Sequence, residues 1–124
     1  MERIDNRSGS PTAGRLLSAI MTYLPKAWFS PSRDELVLLY RMRYCMALEE
    51  AKYDTALVFL DKILEIDPGN LEAKLLKGEL YHRHLNDFAH ALEQYNKVLR
   101  LAPKDHVCRA RARSSLSELM ELVG

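Results

Sequence analysis

The chain has 124 residues, of which 48% are apolar and 28% charged, and a net charge of +1. This length suits one compact domain, and the balance is that of an ordinary globular chain rather than a disordered one. Near-neutrality argues against any general pull toward nucleic acid or anionic lipid, and two cysteines without a CxxC spacing argue against a disulfide framework or a zinc ribbon.

Residues 1–13 are polar and contain Ser-Gly-Ser-Pro, so a disordered leader is expected there. An extension over 14–32 follows, with Leu16, Ile20, Tyr23 and Leu24 near one helical face and Pro25 bending or ending that helix. The run Leu16–Leu24 follows three arginines, but no small-residue cleavage site succeeds it. Its nine residues are also far short of the ~20 needed to cross a bilayer, so neither export nor membrane insertion is expected.

Ser32 with Glu35 three residues on predicts a capping box and a long helix from Arg33 to about Glu50. A second helix is predicted from Asp54 to Ile66, with Ala56, Leu57, Leu60, Ile63 and Leu64 as its buried stripe. Asp67-Pro68-Gly69-Asn70 reads as a turn, because Pro fixes one torsion while Gly and Asn tolerate the left-handed region. Helices over Leu71–His84, Phe88–Leu101 and His106–Leu122 complete the chain, the last carrying Val107, Ala110, Leu119, Met120 and Val123 near one side. No stretch alternates with period two for long enough to argue for a strand, so the expected class is all-α.

Shifted by 35 positions, Tyr53–Pro68 (YDTALVFLDKILEIDP) lands on Phe88–Pro103 (FAHALEQYNKVLRLAP), with Ala56 on Ala91, Leu57 on Leu92, Leu64 on Leu99 and Pro68 on Pro103. A period of this size marks units that bury their apolar faces by stacking on one another. The later unit supplies Gly78-x2-Tyr81, Ala91-x3-Tyr95 and Pro103, and the earlier one Tyr40, Tyr44-x2-Ala47, Ala56-x3-Leu60 and Pro68. In these residues the chain resembles the tetratricopeptide repeat (TPR), a helix-turn-helix unit of about 34 residues. The resemblance implies an α-solenoid domain over 33–122, with repeats at 37–70 and 71–105 and a capping helix at 106–122. It does not extend to 1–32.

The sequence departs from the motif in three places. Tyr44 stands where glycine is expected, which predicts a first helix pair that is splayed or otherwise packed. One extra residue separates Tyr81 from Ala91, and Tyr40 and Lys74 stand where the motif has tryptophan.

The same resemblance implies a function in binding other proteins along the concave face lined by the first helix of each pair. The groove positions would be Arg41, Cys45 and Leu48 in the earlier repeat and Glu72, Leu75, Glu79 and His82 in the later one, with Arg83 on the rim. Chaperone-binding members of the family clamp a terminal carboxylate with Lys, Asn and Arg. Here Arg41 and Arg111 could imitate two of the cations, but Cys45 replaces the asparagine, and Glu72 and Glu79 would repel an acidic tail. A peptide with a basic residue beside an apolar anchor is the expected ligand.

Other constellations point to no chemistry. His82 and His84 project about 200° apart on a helix and cannot share a metal ion, so both read as solvated or rim histidines. Arg109, Arg111 and Arg113 lie near Glu118 and Glu121 and lack a groove-reading motif, so a solvated face or a docking strip for an acidic partner is expected and no specific nucleic-acid partner. No nucleophile–base signature or phosphate loop is present. The sequence therefore reads as a non-catalytic, cytoplasmic adaptor or scaffold without metal or cofactor. Two further readings stay open: self-assembly, with a homodimer through the first long helix, and peripheral membrane docking through residues 16–29.

Overall fold

The structure, a computed structural model, describes residues 30–124. The expected leader at 1–13 and residues 14–29 of the expected extension lie outside the described residues. Five helices lie among the described residues, and four of them begin at side-chain caps that the sequence writes locally. Helix α1 (Arg33–Glu49) begins at Ser32, whose hydroxyl accepts from the Glu35 amide at 3.1 Å, while the Glu35 carboxylate accepts from the Ser32 amide at 3.3 Å. This reciprocal box satisfies two free donors and is worth about 1 kcal/mol. The helix ends with Ala51 in the left-handed region (φ 58°), where the amides of Lys52 and Ala51 donate to Ala47 and Leu48 at 2.8 and 3.1 Å. That is a Schellman closure with alanine where glycine is usual.

Helix α2 (Tyr53–Ile66) stops at the Asp67-Pro68-Gly69 turn. Helix α3 (Leu71–Arg83) is capped by Asn70, whose side chain accepts from the Ala73 amide at 2.9 Å. The extra residue before Ala91 is absorbed after α3, with Asn86 at φ 52°, a torsion that asparagine tolerates better than most residues. Helix α4 (Phe88–Leu101) is capped by Asp87, and helix α5 (Val107–Val123) by His106. Each span lies within one residue of its predicted bounds, and no strand occurs among the described residues.

Packing is between sequence neighbours: α1 with α2, α2 with α3, α3 with α4, and α5 against both α3 and α4. Helix α3 is the shared wall of two cores. Ala73 and Leu80 join Tyr44, Ala47, Ala56, Leu60 and Ile63 on one side, while Leu75 joins Ala91, Tyr95, Val98, Cys108, Ala112 and Leu119 on the other. Leu60, Leu75, Leu80, Tyr95 and Val98 are fully buried. Burying each such side chain contributes roughly 1.5–3 kcal/mol before entropy is counted.

The small residues do what close crossing demands. A Cβ at Gly78 would stand 2.8 Å from the Tyr95 ring and 3.2 Å from Gln94 Cβ, so glycine lets the tyrosine lie against the α3 backbone. In the first pair the bulk is exchanged: Tyr44 stands on the first helix and Leu60 on the second, both buried in the same core. Of the two arrangements expected from Tyr44, the first pair is packed otherwise rather than splayed. Helices α1 and α2 pack as extensively as α3 and α4, because a large residue facing a smaller one fills the same gap from the opposite side.

Helix α5 differs from expectation in its orientation. Its buried stripe is Cys108, Ala112, Ser115 and Leu119, whereas Val107 is 73% exposed and Met120 and Val123 are also exposed. Of the apolar residues read as one side, Leu119 is buried, whereas Val107, Met120 and Val123 are not. Close approach to α3 and α4 selects small side chains, and a stripe of Cys, Ala and Ser carries little hydrophobic signal.

Candidate protein-binding surface

Helices α1, α3 and α5 share one face of the array, and charged side chains bridge them there. Arg41 of α1 reaches Glu72 of α3 at 3.1 Å, while Glu79 and Arg83 of α3 reach Arg111 and Glu118 of α5 at 2.6 and 3.2 Å. Most of these groups are about half exposed, but the Glu79 side chain retains only 16% of its surface. Pairs this exposed contribute at most about 1 kcal/mol each. Their main effect is to fix the position and sign of charge along the face. Beneath them lies Tyr44, whose hydroxyl is pushed up to about 12 by burial and then by the Glu79 carboxylate. Tyr44 is therefore a neutral donor at any physiological pH.

The structure places the predicted groove residues in two groups. Arg41, Glu72, Glu79 and Arg83 lie in the charged ladder, and Cys45 is an exposed free thiol on α1. Leu48 is half-buried against the first core. Leu75 and His82 are not groove-lining residues. Leu75 is fully buried among α3, α4 and α5, because the two-sided packing of α3 turns that position into core.

His82 is 5% exposed, its Nδ1 3.0 Å from the Tyr95 hydroxyl, which also hydrogen-bonds with Ser115. Burial, and then the Arg83 guanidinium, hold the His82 imidazole below its ordinary range. It is a core histidine rather than the solvated or rim residue expected. His84 points elsewhere, its ring stacked on Tyr53 at 4.2 Å between centroids.

Arg111 and Glu118 join this face only in three dimensions. The late arginines read as a solvated face or a docking strip for an acidic partner, whereas in space Arg111 and Arg83 are neutralised by Glu79 and Glu118 across α3 and α5. The signal was the charge alternation itself. One carboxylate and one arginine on α3 face an arginine and a carboxylate on α5, but the pairings need the helix register to be known. Among the described residues, no group of three or more His, Cys, Asp and Glu side chains could hold a metal ion. No helix there is long and apolar enough to cross a membrane.

Comparison with known proteins bears on the same helices. The sequence model of one family, described as tetratricopeptide repeat, matches residues 47–119. Two curated relatives are Sperm-associated antigen 1 of Rattus norvegicus, 31% identical over 80 residues, and of Mus musculus, 30% identical over 82 residues. These alignments cover 64% and 66% of the chain but only 8% of each relative. The chain thus matches a small module of much longer proteins.

Proposed function

Because the chain belongs to the tetratricopeptide repeat family, whose repeats generally mediate protein–protein interaction, we propose that it is a non-catalytic adaptor presenting the α1–α3–α5 face to a peptide or helix of a partner. The observation that carries this reading is the ladder Arg41–Glu72, Glu79–Arg111 and Arg83–Glu118, which gives one face a fixed alternation of charge. Glu72 and Glu79 each already hold a guanidinium, so a basic side chain of the ligand can share the same oxygens. The cations that a carboxylate clamp would need, Arg41 and Arg111, are occupied by those glutamates.

The ligand is accordingly a peptide with a basic residue beside an apolar anchor, not an acidic tail. The free thiols of Cys45 and Cys108 support a reducing, cytoplasmic setting.

The test is fluorescence anisotropy on the full chain with a labelled acidic peptide ending in a free carboxylate, and with its Lys/Arg-substituted counterpart. The basic peptide should bind the more tightly, and Glu79→Arg should weaken it with unchanged helical circular dichroism. Low-micromolar binding of the acidic peptide would overturn the reading.

A further inference from the structure

Helix α1 has a second apolar face that the first core does not use. Tyr44 and Ala47 point inward and are buried, while Leu38, Leu39, Met42 and Met46 are exposed by 58%, 43%, 56% and 55%. At about 100° per residue, these four side chains fall within about 60° of the direction of Met42, and Arg41 and Arg43 stand about 100° to either side. The outward face is thus an apolar seam edged on both sides, at mid-length, by guanidinium groups. Arg43 makes no ion pair among the described residues, and Arg41 shares only the half-exposed Glu72. Along the middle of the seam no carboxylate balances them. Glu35 and Glu49 lie at its two ends, and Glu35 is tied into the capping box.

We infer that the outer face of α1 is a docking site for an amphipathic helix of another protein, one whose apolar seam is flanked by Asp or Glu. Helices pair by matching apolar seams, and the flanking charges select the partner. The charge pattern disfavours a second copy of this chain. An antiparallel self-pair centred on Met42 would set Arg41 against Arg43 and Glu35 against Glu49, and a parallel one would set arginine beside arginine. Nor do residues 14–29 supply the missing charge, since they carry Arg15 and Lys26 and no Asp or Glu. Two exposed methionines suit such a site, because their flexible thioethers conform to differently shaped apolar faces.

The site adjoins the α1–α3–α5 face and shares only Arg41 with it. Met42 and Arg43 belong to this seam alone and Glu79 to the other surface alone, so either reading can fail without the other.

The experiment is selection of a displayed library of helical peptides on the full chain, with leucine at the seam and Glu, Gln or Lys encoded at the flanks. Glu should be enriched at the flanks. The best Glu-flanked peptide should lose at least tenfold in affinity on Met42→Glu and be unaffected by Glu79→Arg. The double variant Arg41→Glu, Arg43→Glu should shift the selected flanks to Lys. Circular dichroism checks that these exposed substitutions leave the helices intact. Recovery of no Met42-sensitive peptide, or of peptides without flank preference, overturns the inference. So does a dimer in light scattering that Met42→Glu splits, which makes the occupant a second copy. Peptide capture only after deletion of residues 1–29 overturns it too, by making that segment the occupant.

Discussion

The first and last described helices, α1 and α5, treat solvent in opposite ways. Helix α5 buries a narrow stripe, Cys108, Ala112, Ser115 and Leu119, and turns Arg111, Arg113, Ser114, Ser117 and Glu118 outward along its middle, while its exposed apolar residues, Val107, Met120, Leu122 and Val123, lie near its two ends. Helix α1 buries the bulkier Tyr44 and turns Leu38, Leu39, Met42 and Met46 outward. A repeat array is soluble at an end only where the outward face of its last helix is polar. By that criterion the middle of α5 offers solvent a largely polar face, whereas the middle of α1 offers an apolar one for another helix to cover. How well a terminal helix packs inward does not reveal which kind of end it is.

The sharpest way to break this contrast is to truncate one residue at each end. Leu119→Ala removes a side chain only 2% exposed, and it should cost about 2–5 kcal/mol in urea unfolding. Met42→Ala, at a position 56% exposed, should move the same midpoint by less than about 0.5 kcal/mol. Equal losses would mean that Met42 packs inside the folded protein and that the α1 edge is closed.

Between the two ends, the helix pairs differ in where they store bulk. Gly78→Ala would push a methyl group to 2.8 Å from the buried Tyr95 ring, and overpacking of this kind should cost about 1–3 kcal/mol. Thermal melts of Gly78→Ala beside Tyr95→Phe would show whether the ring can shift. A melting temperature for Gly78→Ala equal to the parent's would place the α3–α4 crossing farther apart than it stands here.

The two cores also differ in their response to acid. In the first, Tyr44 is pushed up to about 12 and stays neutral. In the second, His82 is held below its ordinary range by burial and Arg83, against the opposing pull of Glu118 and Glu79. The unfolded imidazole therefore takes up a proton at a higher pH than the folded one. The stability contributed by neutral His82 is full above the unfolded value of about 6.5 and is lost as pH falls through the folded one. Stability should decline below pH 6.5 in the parent and less so in His82→Gln, as read from urea midpoints between pH 5 and 8. Parallel profiles would show that His82 is not the group responsible.

The sequence by itself determined the helices, because caps and breakers act over a few residues: Ser32 with Glu35, Asn70 with Ala73, and Pro68 at the turn between repeats. It determined the repeat family as well, since stacking requires small residues at fixed spacing and Gly78, Ala56 and Ala91 supply them. Rotation and pairing were decided only in three dimensions. Helix α5 packs through Cys108, Ala112 and Ser115, whose hydrophobic signal is weaker than that of the exposed Val107 and Met120. Tyr44 fills the first crossing from α1, with Leu60 of α2 buried in the same core. Leu75 and His82 passed from groove to core once α3 proved to have two buried sides, and Arg111 met Glu79 once the register of α5 was set. A helix sequence records which residues share a face, but which face meets a neighbour depends on volumes and charges that other helices bring to it.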